Sequence, residues 1–270
     1  QNFPDIDLPT VSVTAALPGA APAQLETDVA RKIENSIATV QGLKHIYTKV
    51  TDGVVTLTAE FRLEKPVQEA VDDVRSAVAK VRSDLPADLR DPIINKLELA
   101  GQPVLAFTIA SPRFDEEALS WFVDNDISRK LLAVPGVGAV NRVGGVTREI
   151  RVALDPLKLQ SLGISAADVS RQLRQVQAQS AGGRHHLRGG GAPVRTLATV
   201  QTAREVGQIE IGIAGGRSIK LADVAEVTDT ISEPRAAARL NGKPVVGFEV
   251  ARSRGESEVA VGAAGVQALD

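Results

Sequence analysis

One stretch near the start of the chain decides the fold: PTVSVTAALPGAAPAQLETDVARKIENSIATVQGLKHIYTKVTDGVVTLTAEF, residues 9–61. Its first nine residues, 9–17, alternate apolar side chains with small polar ones, a pattern that predicts a β-strand. Apolar residues then recur at spacings of three and four from Leu25 to Val40. This spacing predicts an amphipathic helix that ends at Gly42.

Two further strands and a second helix complete the first unit. Residues 43–50 and 54–61 are strand-like and flank Asp52-Gly53, which is a hairpin turn signal. A valine stripe over residues 67–81 predicts the second helix, and residues 93–99 predict another strand. The resulting order, β-α-β-β-α-β, is typical of ferredoxin-like domains.

The chain then partly repeats this unit. A strand is predicted at 103–110, and Asp115 is placed to cap the helix that follows. The segment LLAVPGVGAVNRV (131–143) lines up with IATVQGLKHIYTK (37–49) as a helix end, a glycine cap and a strand. Farther on, residues 245–252 resemble the strand at 54–61, and residues 257–269 resemble the second helix. The last strand of this repeat is missing, so we expect a chain cut before the domain finishes.

An insertion interrupts the second repeat between about Thr147 and Glu233. It begins with a strand at 148–154 and continues with a short helix opened by Asp155-Pro156. A capping-box-like pair, Ser165 and Asp168, starts a longer helix. A Gly-rich loop without periodicity covers 180–193, and short strand candidates follow. The predicted fold is therefore α+β, with tandem ferredoxin-like units and an inserted α+β subdomain.

Composition excludes several classes of function. Lys and Arg number 31 against 33 Asp and Glu, and this near-neutral balance argues against a nucleic-acid binder. There is no cysteine or methionine, which excludes disulfides and sulfur-based metal sites. No nucleophile, phosphate-loop or zinc motif occurs, so we expect no enzyme, no cofactor and no metal site. No stretch reaches the ~20 apolar residues that span a bilayer, so we expect the chain as given to be water-soluble.

Acidic side chains on the helices are interpreted as solvent-facing. Asp124 and Asp126 fall near the exposed side of their helix, and we interpret Asp72 and Asp73 in the same way.

The Gly-rich loop leaves two interpretations open. Its arginines fit either an interaction arm or a flexible loop kept soluble by charge.

Several long segments together resemble the first periplasmic segment of the resistance–nodulation–division (RND) efflux transporters. They are residues 3–61, VDDVRSAVAKVRSDLP (71–86), PIINKLE (92–98), VPGVGAVNRVGG (134–145), residues 148–183, IKLADVAEV (219–227) and RLNGKPVVGF (239–248). The similarity is greater to the hydrophobe/amphiphile (multidrug) branch than to the heavy-metal branch. It covers nearly the whole chain in the family order.

The resemblance implies an architecture and partners. Residues 1–100 are expected to form the first porter subdomain, 101–146 with 233–270 most of the second, and 147–232 a docking subdomain. The family works as a homotrimer driven by protons, with a periplasmic adaptor protein and an outer-membrane channel. This chain is then expected to be a periplasmic segment of a bacterial inner-membrane protein that exports amphiphilic compounds.

The resemblance also implies site residues. The substrate-contacting positions are Thr14, Thr56, Thr58, Gln102, Pro103, Ala106, Asn141 and Val143. The trimer-interface arm comprises Arg184, His185, His186, Leu187, Arg188, Gly190 and Arg195. Pro103 and Val143 stand where the best-known multidrug members carry phenylalanine, which removes stacking surface and indicates a smaller or more aliphatic substrate.

Two other functions remain as alternatives. One is a soluble small-ligand sensor made of tandem ferredoxin-like units. The other is a structural module of an envelope assembly that contacts an adaptor through residues 147–232 without handling substrate.

Overall fold

The computed structural model describes residues 8–98, 102–179, 186–188, 194–198, 201–232 and 236–253. It combines helices with antiparallel sheets, so the α+β class is confirmed. The chain divides into two compact units. Unit 1 comprises residues 1–145 and 234–270, and unit 2 comprises residues 146–233.

The described residues form the following strands and helices. The strands are β1 (Thr10–Ala16), β2 (Leu43–Thr51), β3 (Val54–Phe61), β4 (Ile93–Lys96), β5 (Val104–Ile109), β6 (Val137–Val143), β7 (Arg148–Leu154), β8 (His186–Arg188), β9 (Val194–Ala198), β10 (Glu210–Gly212), β11 (Ser218–Lys220), β12 (Ala225–Ile231), β13 (Ala237–Leu240) and β14 (Lys243–Arg252). The helices are α1 (Pro22–Leu25), α2 (Arg31–Ile37), α3 (Val67–Val81), α4 (Glu116–Phe122), α5 (Ser128–Leu132), α6 (Pro156–Ser161), α7 (Ala166–Gln179) and α8 (Ala203–Gly207). Short 3-10 turns lie at Arg82–Asp84, Ala214–Gly216 and Leu221–Asp223.

Unit 1 is organised around one antiparallel sheet. Within the described residues its strand order is β4-β1-β3-β2-β13-β14-β5, and β6 pairs with the other edge of β14. Strand β14 therefore holds the sheet together, because β13 pairs with its first residues while β5 and β6 flank the rest.

The helices of unit 1 bury one face of this sheet. Residues of the first two helical segments and of α3 pack against β1 and β3. They include Leu25, Ile33 and Val74, which are all fully buried. Leu131 of α5 and Phe248 of β14 belong to a second cluster of the same unit. Each fully buried side chain of this size contributes roughly 1.5–3 kcal/mol to stability. The opposite face of the sheet, called the open face below, carries the polar half of the strand alternation.

Two π-helical turns keep the apolar stripes on the core side. The turns Glu26–Ala30 and Val123–Ile127 join α1 to α2 and α4 to α5. The buried residues Leu25, Val29, Ile33 and Ile37 are spaced by four, as are Leu119, Val123, Ile127 and Leu131. In a regular helix a spacing of four drifts by about 40° each time. A π turn takes more residues than an α turn and compensates for this drift.

A glycine precedes the strand that follows each of these helices, but the helices themselves end earlier than predicted, at Ile37 and Leu132. Gly42 has φ +84° and Gly136 has φ +93°, a backbone region that glycine adopts without strain. Strands β2 and β6 begin directly after them.

Unit 2 has its own sheet and core. Among its described residues the sheet order is β12-β7-β9-β8, and β10 pairs with β11 in a separate hairpin. The predicted capping of α7 is confirmed, because the Asp168 amide donates to Ser165 Oγ at 3.1 Å. The predicted cap of α6 is also present, since the Leu157 amide donates to Asp155 Oδ1 at 3.0 Å.

The structure corrects several local predictions. Residues 186–188 form a strand instead of loop, because β9 offers them a pairing edge. Strand β13 was not predicted as a separate element, and β4 ends at Lys96 rather than at residue 99. The helix expected at 257–269 lies outside the described residues. No helix in the described ranges is both long enough and apolar enough to cross a bilayer.

Candidate functional site

Three of the predicted substrate-contacting residues lie together on the open face. Thr14 on β1 is directly opposite Thr56 on β3, and Thr58 follows two residues along β3. All three are half-buried, whereas their strand neighbours Val13 and Leu57 are fully buried in the core. The alternation of the strands therefore turns three hydroxyl groups away from the helices.

A second group lies on the part of the sheet around β14. Ala106 on β5 and Asn141 on β6 are both opposite Glu249, from the two sides of β14. Both are exposed. Val143 is opposite Gly247 but is only 3% exposed, so its side chain is withdrawn from solvent.

Gln102 and Pro103 lie just before β5. Gln102 is half-buried, and its side-chain amide donates to the carbonyl of Glu98 at 3.0 Å. Pro103 is exposed, and its carbonyl accepts a hydrogen bond from the Arg252 amide at 3.3 Å. These contacts tie the start of β5 to the preceding segment and to the end of β14.

A charged pair that the sequence analysis missed connects the two groups. Lys49 Nζ on β2 lies 2.6 Å from Glu249 Oε1 on β14. Lys49 is opposite Thr56, and Glu249 is opposite Asn141. One sequence signal pointed to this placement. Lys49 alternates with the buried Thr48 and Val50, which assigns its side chain to the open face.

Tyr47 completes this polar centre. It is opposite Thr58, and its hydroxyl is buried without a hydrogen-bond partner among the described residues. Burial, followed by the nearby Glu249 charge, raises the pKa of Tyr47 to about 12, so the phenol keeps its proton. A Cβ atom at Gly247 would lie 3.2 Å from the Tyr47 hydroxyl oxygen. Glycine at that position therefore leaves room for the ring.

The side of the sheet that faces the helices carries a buried ion cluster. Arg239 on β13 donates from Nε to Glu34 Oε1 at 2.8 Å and from Nη1 to Glu26 Oε1 at 2.6 Å. Its Nη2 donates to the Gly242 carbonyl at 2.6 Å. Burial raises the pKa of Glu34, although the hydrogen bond and charge of Arg239 oppose this shift. This cluster attaches β13 to the first helix of the unit.

Two acidic residues expected to face solvent have partners instead. Asp124 in the second π turn accepts a hydrogen bond from Arg142 Nε at 2.9 Å, and its side chain is 30% exposed. Asp73 on α3 lies 2.6 Å from Lys65 Nζ. The Asp124 side chain is thus less solvated than predicted because Arg142 of β6 pairs with it, whereas the Asp73 side chain stays 40% exposed beside Lys65 of the loop before α3. Asp72 is exposed as expected.

The predicted arm residues are only partly described. His186, Leu187 and Arg188 form β8, which pairs antiparallel with β9, and Arg195 lies in β9. Arg184, His185 and Gly190 lie outside the described residues.

A family model described as the AcrB/AcrD/AcrF family matches residues 1–269. This chain belongs to the AcrB/AcrD/AcrF family. The resemblance to the RND efflux transporters is thereby confirmed, together with its association with transport and multidrug resistance.

Named relatives agree with this assignment. The chain is 27% identical over 245 residues to multidrug resistance protein MdtC of Pectobacterium carotovorum. The aligned residues are 90% of this chain and 24% of that protein. It is also 27% identical over 250 residues to MdtC of Escherichia coli O1:K1, with the same shares of each chain. This member of the AcrB/AcrD/AcrF family thus spans about a quarter of the length of these relatives.

Proposed function

We propose that this chain is the periplasmic part of a proton-driven RND pump that contacts amphiphilic substrates and docks the pump's trimer. The observation that carries the proposal is the open face of unit 1. Hydroxyl, amide and small apolar groups from β1, β3, β5 and β6 share that face around the Lys49–Glu249 pair. Such a surface offers a few polar contacts within an otherwise small-residue lining, which suits an amphiphile.

The topology supports porter subdomains of ferredoxin-like type. The order β4-β1-β3-β2 with two helices on one side is the arrangement that the split βαβ motif gives. The order β5-β14-β6 reproduces the β1-β3-β2 part of it. We therefore assign 1–100 to the first porter subdomain and 101–146 with 233–270 to the second. The compact unit Val146–Glu233 supports 147–232 as the inserted docking subdomain.

The assembly follows from the same proposal. The pump is a homotrimer of an inner-membrane protein that works with a periplasmic adaptor and an outer-membrane channel. The relatives' name, multidrug resistance protein, supports small-molecule export. The antiparallel pairing of β8 with β9 supports an arm at 184–195 that contacts a neighbouring subunit.

A bulky side chain on the open face tests the substrate role. In the complete transporter, expressed in bacteria without competing pumps, Thr58→Trp and Asn141→Trp should each slow efflux of a fluorescent amphiphile. Each indole would fill the surface that the ligand needs. The matched control is Thr228→Trp, on an exposed position of β12 in unit 2. Unchanged efflux in both open-face variants, at normal protein abundance, would favour the structural-module alternative.

Deletion of residues 184–192 tests the docking role. The trimer of the complete transporter should weaken on native gels, because the deletion removes β8 from the predicted arm. Shortening the β10–β11 turn at Ala214–Gly216 is the control, since it alters another hairpin of unit 2. A trimer that survives the 184–192 deletion intact would contradict the arm assignment.

A further inference from the structure

The Lys49–Glu249 pair lies at the centre of the open face. Glu249 faces Ala106 on one side and Asn141 on the other, and Lys49 faces Thr56. The two charged residues are 200 positions apart in sequence and come from different strands. Any ligand that covers both groups of predicted contact residues therefore covers this pair as well.

The two partners differ in their freedom to move. The Glu249 side chain is 20% exposed and lies on β14, which is paired along both edges. The Lys49 side chain is 33% exposed and has a flexible four-carbon stem. The carboxylate is thus the fixed member of the pair, and the ammonium is the member that can move away.

The surroundings of Glu249 suit a positive group. One carboxylate oxygen, Oε1, is paired with Lys49, and Oε2 has no hydrogen-bond partner among the described residues. The Tyr47 hydroxyl lies close to the same part of β14, because a Cβ atom at Gly247, two residues before Glu249, would be 3.2 Å from it. A carboxylate next to an aromatic ring is a favourable place for an alkylammonium group. The Glu249 side chain is only 20% exposed, so its carboxylate is more stable next to a cation than alone.

We propose that Glu249 selects positively charged amphiphiles, and that Lys49 neutralises Glu249 until the cationic group of the ligand replaces the ammonium. This inference rests on the proposed function, because it assigns a substrate class to the same open face. Lys49 then competes with the cationic ligand for Glu249, and the Glu249 carboxylate attracts that ligand.

The test compares three detergents with the same alkyl chain on the purified chain. Octyltrimethylammonium is cationic, octanesulfonate is anionic and octyl glucoside is neutral, and each is titrated below its critical micelle concentration. Backbone amide shifts in ¹H–¹⁵N NMR spectra report binding at Thr56, Asn141 and Glu249, even when the affinity is low. We expect the cationic detergent to bind most tightly.

Variants of the two partners should act in opposite directions. Glu249→Gln should weaken binding of octyltrimethylammonium by about tenfold and leave octyl glucoside unchanged. Lys49→Gln should strengthen binding of the cation, because the competing ammonium is gone. A merely structural ion pair would make both variants behave alike. The control Glu226→Gln removes an exposed charge from β12 and should change nothing.

The outcomes separate this inference from the proposed function. Equal affinities for all three detergents, unaffected by either variant, would overturn the charge selection and leave the substrate face standing. Tightest binding of octanesulfonate would also overturn it. If no detergent shifts the open-face amides, both the inference and the substrate role of the face are wrong. Glu249→Asp, which keeps the charge, should retain the preference for the cation.

Discussion

At the scale of single residues, the clearest contrast is between Arg239 and the exposed ion pairs. The Arg239 side chain is 5% exposed and neutralises Glu34, which is 3% exposed, and Glu26. The Arg75–Asp72 pair on α3 is about 60% exposed on both sides. Exposed pairs contribute little, whereas removing one partner of a buried pair leaves a charge in the interior.

Arg239→Ala should therefore lower the free energy of unfolding by about 3 to 5 kcal/mol, because Glu34 loses its cation in the core. Urea unfolding followed by circular dichroism measures this change. Arg75→Ala is the control in the same unit and should leave the unfolding midpoint unchanged. A small loss for Arg239→Ala, no greater than for Arg75→Ala, would show that the cluster does not stabilise unit 1.

Glu34 should also give the stability a recognisable pH dependence. Burial raises its pKa above the ordinary value for a glutamate side chain, 4.5. The folded protein therefore holds this proton more tightly than the unfolded chain. The resulting stabilisation is complete below the unfolded pKa and is lost as the pH rises through the folded pKa.

The wild-type melting temperature should accordingly rise relative to that of Glu34→Gln as the pH falls through the raised folded pKa toward the ordinary pKa of a glutamate, 4.5. Thermal unfolding of the two proteins in the same buffers measures the difference, and other titrating groups largely cancel in it. A difference that stays constant over this range, or that shrinks toward acid, would contradict the raised pKa.

At the scale of elements, the two π turns show that the spacing of buried apolar residues indicates the local geometry of a helix. The amphipathic stripe was predicted, but the uniform spacing of four in both helices was the signal for a π turn. Each turn also holds a charged partner of a later strand, Glu26 for Arg239 and Asp124 for Arg142. The two helices of the repeat thus share a local geometry as well as a position.

The turn after β6 depends on a glycine for a steric reason. Gly144 has φ +73°, and a Cβ atom there would lie 2.8 Å from the Ala238 amide nitrogen and 3.0 Å from the Val245 carbonyl oxygen. Both of these atoms belong to the backbone of paired strands, so neither can move easily.

Gly144→Ala should destabilise unit 1 by about 2 to 4 kcal/mol, the sum of backbone strain and overpacking. Gly19→Ala is the matched control, because φ at Gly19 is +85° and no atom lies within 4 Å of a Cβ there. It should cost only the strain, about 1 to 2 kcal/mol. Urea titrations compare the two, and equal losses would show that the close approach at Gly144 is relieved by relaxation.

At the scale of the whole molecule, unit 2 begins and ends at neighbouring points. The Ser232 amide donates to the Thr147 carbonyl at 2.9 Å, where β7 and β12 meet. Paired residues of this kind have Cα atoms about 5 Å apart. A short linker could therefore replace the insertion without stretching unit 1.

Replacing residues 146–233 by a short Gly-Ser linker should leave unit 1 folded, with cooperative thermal unfolding and a dispersed NMR spectrum. Deleting only 146–200 is the comparison, since it removes β7 and leaves the apolar residues of α8 and β12 without their core. Loss of cooperative unfolding in the first variant would show that unit 1 needs unit 2 in order to fold.

Much of the fold was predictable because its signals are local. Strand alternation in β1 and β3, the caps at Asp115 and Asp155, and the glycine after each repeated helix act within a few residues. These signals were sufficient to predict the order of elements along most of the chain. They also put Thr14, Thr56 and Thr58 on the polar side of their strands.

The sequence by itself therefore determined most of the segments that become helices and strands, and which face of each is polar. Only the tertiary structure decided which distant side chains meet. Lys49 reaches Glu249, and Arg239 reaches Glu34, across 200 and 205 positions of chain. Strand β8 exists only because β9 offers it an edge. The physical reason is that these contacts depend on strand order and register, which arise when separate segments pack together.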